Sequence, residues 1–204
     1  MKLGFLYAGQ GSQHPGMGQD LYETYPAFRE VLDRAETDFD LKALCFQGPE
    51  KQLNQTRYTQ PCMVAFAAGL TAVLKEMGIV PDLVAGLSLG EYSALACAGV
   101  FDVQTAVALT AFRGKAMAAA AAGRTCGMTA VLGLDEAPLQ ACCNAAADEG
   151  VVQICNYNCP GQLVIGGDKA AVDKAAELAP AAECQRPVPY LIDAPGRGCT
   201  AGKM

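Results

Sequence analysis

Histidine is almost missing from this sequence of 204 residues, which contains a single one, His14. A zinc site with two histidine ligands is therefore excluded. Ten cysteines are present, but none stands in the C-x-x-C spacing that is typical of zinc and redox sites. The sequence therefore predicts reduced cysteines, no metal site and no cofactor, as in a cytoplasmic protein.

Long apolar runs and runs of basic charge are missing as well. No stretch approaches the roughly 20 apolar residues that a membrane-spanning helix needs. The first residues, MKLGFLYAG, are too short and too interrupted by glycine for the core of a signal peptide. Lysine and arginine number 15 against 21 aspartates and glutamates, which gives a formal charge of −6. Neither nucleic acid nor a membrane is therefore expected as a partner.

Hydrophobic residues make up 51% of the chain, so it can bury a substantial core. Its length suits one domain with a smaller inserted subdomain. Residues 1–124 predict a large α/β subdomain that begins with a buried strand over 2–9. An amphipathic helix is predicted over 26–39 and is opened by Pro26, because proline is tolerated in a first turn. A second short strand is predicted over 80–88.

Two long helices are predicted on either side of that second strand. The earlier helix is mostly apolar, with Thr59 as its predicted N-cap and Gly78 as its stop. The later helix is predicted to begin after a cap at Asp102 and to end near Gly123.

The pattern changes from about residue 125. Strand and helix signals then follow in the order βαββαβ, which is typical of a split-βαβ, ferredoxin-like unit. This small subdomain is predicted over 125–192. Residues 193–204 show no periodicity, so they are predicted as an irregular tail.

Residues 86–90 have the G-x-S-x-G form of a nucleophile elbow. An apolar strand precedes Ser88 and a helix follows it, which is the local architecture that the elbow needs. Ser88 is therefore a candidate nucleophile, and the amide of Leu89 would face a developing oxyanion. The alternative is that Ser88 only caps the helix.

Arg113 and a glycine-rich turn over 8–18 are the other candidates. Arg113 has mostly apolar or small neighbours on its predicted helix, and a planar carboxylate is the best acceptor for its guanidinium. Position alone favours an arginine that reaches solvent or pairs with a structural acid. The turn presents amides that could serve as a second oxyanion donor. His14 lies in this turn and is interpreted as a surface residue, since no acid is near it in sequence.

Five motifs together resemble the malonyl-CoA:acyl-carrier-protein transacylases of fatty-acid synthesis and the related acyltransferase domains of polyketide synthases. They occur in the family's order: GQGSQ at 9–13, TQP at 59–61, GLSLGEYSAL at 86–95, FRGKAM at 112–117 and NYNCPGQLVIGG at 156–167. The resemblance implies an α/β fold, in which a ferredoxin-like subdomain is inserted into a hydrolase-like α/β subdomain with a parallel sheet.

The resemblance also implies a reaction and its residues. Ser88 would attack the thioester of malonyl-CoA, and the thiol of acyl carrier protein would then take the malonyl group from the serine ester. The backbone amides of Gln10 and Leu89 would form the oxyanion hole. Arg113 would bind the free carboxylate of the malonyl group and select it over acetyl.

The sequence departs from the family at three positions. Leu87 replaces the histidine of the family's G-H-S-x-G, and Cys159 stands where serine is common. Arg197 aligns with the family's general-base histidine. The large subdomain is then expected to be incomplete at its C-terminal end, and the chain to be truncated and impaired.

Two alternatives to that activity stay open. One is a non-catalytic protein that binds acyl-CoA or carrier protein, and the other is a serine esterase. An incomplete subdomain is also expected to expose apolar surface, notably on the helix over 60–77, and to favour self-association.

Overall fold

A computed structural model describes residues 2–179 and 186–190 of the chain. The chain divides into two units, Met1–Ala120 and Ala121–Met204. The irregular tail predicted over 193–204, with Arg197, lies outside the described residues, and the subdomain boundaries drawn from the sequence stay predictions.

The first unit consists of helices around a short parallel sheet. Its elements are β1 (Gly4–Tyr7), α1 (Gln19–Thr24), α2 (Pro26–Asp33), α3 (Leu41–Gln47), α4 (Glu50–Leu53), α5 (Thr56–Glu76), β2 (Leu83–Gly86), α6 (Leu89–Cys97) and α7 (Val103–Ala120). Strand β1 pairs with β2 in parallel, with Gly4 opposite Leu83 and Tyr7 opposite Gly86. Both strands therefore end at the same edge of the sheet.

Helix α5 forms the centre of this unit, where it packs against α2 and α7. The ring of Phe28 on α2 is fully buried against α5. A Cβ added at Gly69 would lie 2.7 Å from Cδ2 of Phe28, so glycine makes room for this ring. Gly114 brings α7 equally close to the first turn of α5, because a Cβ there would lie 2.7 Å from the carbonyl oxygen of Thr56. These close approaches fix where the side chains at the start of α5 meet those of α7.

Several predicted helix ends are confirmed and two are wrong. Gly78 has φ +77° just beyond α5, and the carboxylate of Asp102 accepts a hydrogen bond from the amide of Thr105 at 2.7 Å as the cap of α7. Thr59 is not an N-cap, because α5 begins at Thr56 and the Thr59 hydroxyl donates to the carbonyl of Leu53 instead. Helix α2 does begin at Pro26, but it ends at residue 33 rather than 39.

The prediction of a buried first strand is also wrong. Gly4 and Leu6 are exposed, and Leu6 is 82% exposed, whereas Phe5 and Tyr7 are half-buried. This alternation shows that one face of β1 packs on the helices and the other faces outward. On that outward face Leu83 of β2 lies beside Gly4, so the exposed surface is apolar.

The second unit has the element order that the sequence predicts. It contains β3 (Cys126–Leu132), α8 (Glu136–Ala145), β4 (Val152–Cys159), β5 (Gln162–Asp168), α9 (Lys169–Leu178) and β6 (Arg186–Tyr190), with a 3₁₀ turn at Ala147–Glu149. The four strands form an antiparallel sheet in the order β4-β5-β3-β6. The predicted ferredoxin-like topology is thereby confirmed.

The core of the second unit lies between its sheet and its two helices. Val131 and Ile165 of the sheet and Leu139 and Val172 of the helices are essentially fully buried there.

Cys159 ends β4 and is exposed. In the described part of the chain, none of the helices is long and apolar enough to cross a membrane.

Candidate active site

The site is built around Ser88, at the junction of β2 and α6. Ser88 has φ 53° and ψ −103°, and no other non-glycine residue among those described has a positive φ. Such a backbone is strained, and it holds the hydroxyl on the exposed side of the turn. The strand, turn and helix that the sequence predicts are thus present around the serine.

The two glycines of the motif are required by close packing. A Cβ at Gly86 would overlap the backbone of Gly90, and a Cβ at Gly90 would overlap the carbonyl of Tyr7. The turn between β2 and α6 therefore folds back directly on its own backbone and on the end of β1. No larger residue fits at either position unless the turn opens.

Leu89 is the first residue of α6. The amides of Gly90 and Glu91 bond to the carbonyls of Leu87 and Ser88, at 2.9 and 3.3 Å. The amide of Leu89 finds no acceptor among the residues that the structure describes. It lies at the positive end of the helix dipole, where a negative oxygen is favoured.

Arg113 is in direct contact with Ser88. Its Nη2 donates to Ser88 Oγ at 3.1 Å, and its Nη1 donates to Oε1 of Gln60 at 2.7 Å. The guanidinium carbon also lies 5.7 Å from the ring centroid of Tyr92. Within the described ranges no carboxylate lies within ion-pair distance of Arg113. The structural alternative, an arginine paired with an acid, is therefore not what the described residues show.

Gln10 lies in the glycine-rich turn that follows β1. This turn runs against the elbow, since a Cβ at Gly9 would lie 3.1 Å from the carbonyl oxygen of Leu87. Oε1 of Gln10 accepts a hydrogen bond from the Thr56 hydroxyl at 2.9 Å. The backbone amide of Gln10, like that of Leu89, has no acceptor in the described part of the chain.

Ser88 has no base among its described contacts. A guanidinium only donates hydrogen bonds, so Ser88 Oγ is the acceptor from Arg113 and its own proton has no described acceptor. His14 is exposed, and its Nδ1 lies 3.1 Å from the carbonyl oxygen of its neighbour Pro15. Leu87, the residue before Ser88, is 55% exposed.

Sequence reasoning assigned no role to two polar residues that connect this site. Gln60 is 1% exposed, and its amide joins Arg113 to Thr56, which in turn contacts Gln10. A signal was present, because Gln60 is polar within a helix whose other residues are mostly apolar. That signal indicates a buried amide with partners, but it does not identify them.

Comparisons with known proteins agree with the motifs. A model of the acyl transferase domain matches residues 4–187 of the chain. The malonyl CoA-acyl carrier protein transacylase of Escherichia coli (strain K12) is 42% identical over 197 residues, which cover 95% of this chain and 64% of that protein. The protein of the same name in Bacillus subtilis (strain 168) is 39% identical, with 62% of its length covered.

Solved structures give the same result. The crystal structure of MCAT from Streptococcus pneumoniae has a TM-score of 0.82 and 45% identity, with 95% of this chain and 64% of that chain covered. A malonyl-transacylase in complex with a type II PKS acyl-carrier protein has a TM-score of 0.83 at 39% identity, with 96% and 64% covered. The chain spans slightly less than two thirds of the length of these relatives.

Proposed function

The chain belongs to the acyl transferase domain family, and on that premise we propose that it transfers a malonyl group from malonyl-CoA to acyl carrier protein in fatty-acid synthesis. The observation that carries the proposal is the contact between Arg113 and Ser88. A strained elbow presents the serine, and a guanidinium without a carboxylate partner among the described residues lies 3.1 Å from its hydroxyl. The relatives named above carry this activity in their names.

The transfer takes place in two steps on Ser88. Oγ attacks the thioester carbonyl carbon, the carbon–sulfur bond breaks, and the CoA thiol leaves with the proton that the hydroxyl loses. The thiol of the carrier protein then attacks the serine ester, and the proton returns to Oγ. In both steps the amides of Gln10 and Leu89 stabilise the negative charge on the carbonyl oxygen.

Arg113 selects the acyl group. Its guanidinium has five donors in a planar fork, and a malonyl carboxylate matches this fork better than the serine hydroxyl that it contacts here. Hydrogen bonds to a charged group contribute about 1.5–3 kcal/mol each, and an acetyl group forms none of them. Malonyl transfer is therefore preferred over acetyl transfer.

We propose that acylation by this chain is slow. The single histidine, His14, contacts Pro15, and Ser88 has no base among its described contacts. Serine proteases that lose a member of their catalytic triad retain about 10³–10⁴-fold acceleration over water, which comes from the oxyanion hole and binding. The same observation favours a second candidate function, a protein that binds malonyl-CoA or the carrier without turnover.

We also propose the cytoplasm as the location of the protein. Cys155 and Cys159 are free thiols on the surface of the described ranges. Free exposed thiols suit a reducing compartment.

The test is intact-protein mass spectrometry after mixing the chain with malonyl-CoA. We expect a gain of one malonyl group in the wild type and none in Ser88→Ala. Arg113→Ala is expected to lose the malonyl adduct selectively and to keep acetylation by acetyl-CoA. Calorimetric binding of malonyl-CoA without any adduct would favour the binding function, and the absence of both binding and adduct would refute both.

A further inference from the structure

The buried amide of Gln60 lies at the centre of a partly buried polar connection. It is 1% exposed, and its Oε1 accepts from Arg113 at 2.7 Å. Its Nε2 lies 2.9 Å from Thr56 Oγ1 and 3.2 Å from the sulfur of Met117. Burial of a polar amide in a helical core is costly unless its groups are hydrogen-bonded, and here they are.

The direction of each hydrogen bond follows from the donors available. Arg113 can only donate, so the atom of Gln60 that faces it is the oxygen. The nitrogen of Gln60 then donates to the hydroxyl of Thr56, and Thr56 uses its own proton to donate to Oε1 of Gln10. The result is a one-way chain of three bonds, in which each bond polarises the next.

We propose that Gln60 and Thr56 are positioning residues that hold Arg113 and the Gln10 turn in one shared geometry. The inference rests on the proposed function, in which Arg113 binds the acyl carboxylate and the Gln10 amide stabilises the oxyanion. Gln60 accepts from Nη1 of the guanidinium and so directs Nη2 toward Ser88. Thr56 anchors the side chain of Gln10, and through it the turn that lies against the elbow.

Helix packing alone does not account for these two residues. The close approach of α5 and α7 is already provided by Gly114 at the carbonyl of Thr56. Leucine and valine would fill the space of Gln60 and Thr56 without any polar group to satisfy. A role in packing therefore predicts that apolar replacements of similar size are tolerated, whereas positioning predicts two different functional losses.

The first measurement is the rate of Ser88 acylation by malonyl-CoA and by acetyl-CoA, again followed by intact mass. Gln60→Leu is expected to slow malonylation about tenfold, the equivalent of one charge-assisted hydrogen bond, while acetylation changes less than about twofold. Gln60→Glu is also expected to remove the preference for malonyl-CoA over acetyl-CoA, because the introduced carboxylate pairs with the Arg113 guanidinium in place of the malonyl carboxylate. Thr56→Val is expected to slow both reactions alike, and Thr56→Ser to restore them.

Gln104→Leu on the exposed side of α7 is the matched control and is expected to behave as the wild type. Equal malonyl-to-acetyl ratios in Gln60→Leu and the wild type would overturn the proposal. So would a loss of stability that lowers both rates in Gln60→Leu in proportion.

The second measurement does not depend on activity. In ¹⁵N NMR spectra the Arg113 guanidinium is expected to give separate, slowly exchanging Nη signals, which merge in Gln60→Leu. The backbone amide signal of Gln10 is expected to shift in Thr56→Val and not in Gln104→Leu. If the wild type forms no ester, the proposed function fails, and unchanged Arg113 and Gln10 signals would separately refute the polar connection.

Discussion

Gly114→Ala tests the contact that holds α7 against the first turn of α5. Glycine in the middle of a helix is unfavourable, so on propensity alone alanine would stabilise α7 by about 1 kcal/mol. The structure predicts the opposite sign. An added Cβ would lie 2.7 Å from the carbonyl oxygen of Thr56 and 2.8 Å from Cα of Arg57, which are both backbone atoms.

The magnitude follows from these two opposing effects. Overpacking costs about 1–3 kcal/mol, and the cost is at the upper end here because no flexible side chain can yield. Subtracting the gain in propensity leaves a loss of about 2 kcal/mol in the free energy of unfolding, or roughly 4–8 °C in Tm. The two helices must also separate, which draws Arg113 away from Gln60.

Thermal unfolding followed by far-UV circular dichroism measures this loss, with Ala108→Gly on the exposed side of α7 as the control. The control lowers the helix propensity of α7 without introducing a clash, and it is expected to lower the free energy of unfolding by about 1 kcal/mol. Malonylation of Ser88 in Gly114→Ala is expected to fall further than acetylation. A Gly114→Ala protein that is as stable as the wild type, beside a destabilised control, would refute the close approach.

Two further predictions concern the first strand. Burial raises the pKa of Tyr7 to about 12, with a further contribution from Cys97, so the phenol favours its neutral form in the folded state. The contribution of Tyr7 to the free energy of unfolding is then fully present below pH 10.0, the ordinary pKa, and is lost as the pH rises toward about 12. Tyrosinate formation followed by absorbance is expected to show one more group in the wild type than in Tyr7→Phe, and this group has a pKa of about 12. A difference between the two curves that is centred near 10.0 would contradict the burial. The exposed leucines of the sheet, Leu6 at 82% and Leu83 at 54%, predict concentration-dependent self-association in analytical ultracentrifugation, which Leu6→Ser is expected to weaken. A wild-type chain that stays monomeric at high concentration would count against this surface.

The features that the sequence predicted correctly are those that neighbouring residues determine. Gly78 ends its helix because a left-handed residue is needed there, and Asp102 caps its helix through a bond only three residues away. The elbow at Ser88 and the βαββαβ order were predictable for the same reason. Each depends on a few consecutive residues or on simple periodicity.

The errors arose where distant residues decide. Thr59 has the chemistry of an N-cap, but the preceding turn at Leu53 offers its hydroxyl an acceptor and the helix starts earlier. The apolar letters of β1 indicate a strand and do not reveal that Leu6 points outward. Gln60 was missed because its partners come from its own helix, α5, and from α7, 53 and 57 residues away, and no linear spacing encodes that meeting.

The parallel pairing of β1 and β2 has a consequence for how the site can vary. The Gln10 turn and the Ser88 elbow come from opposite ends of a long intervening segment, yet their alignment depends on two strands of four residues each. Neighbouring positions along a strand are about 3.3 Å apart, and a shift by one residue also reverses which face each side chain occupies. Misalignment of the two amides is therefore not a gradual fault that small adjustments correct. The register of β1 and β2 can change only in steps of a whole residue. The helices between the two strands can therefore vary in sequence and length while the Gln10 turn and the Ser88 elbow keep the same spacing.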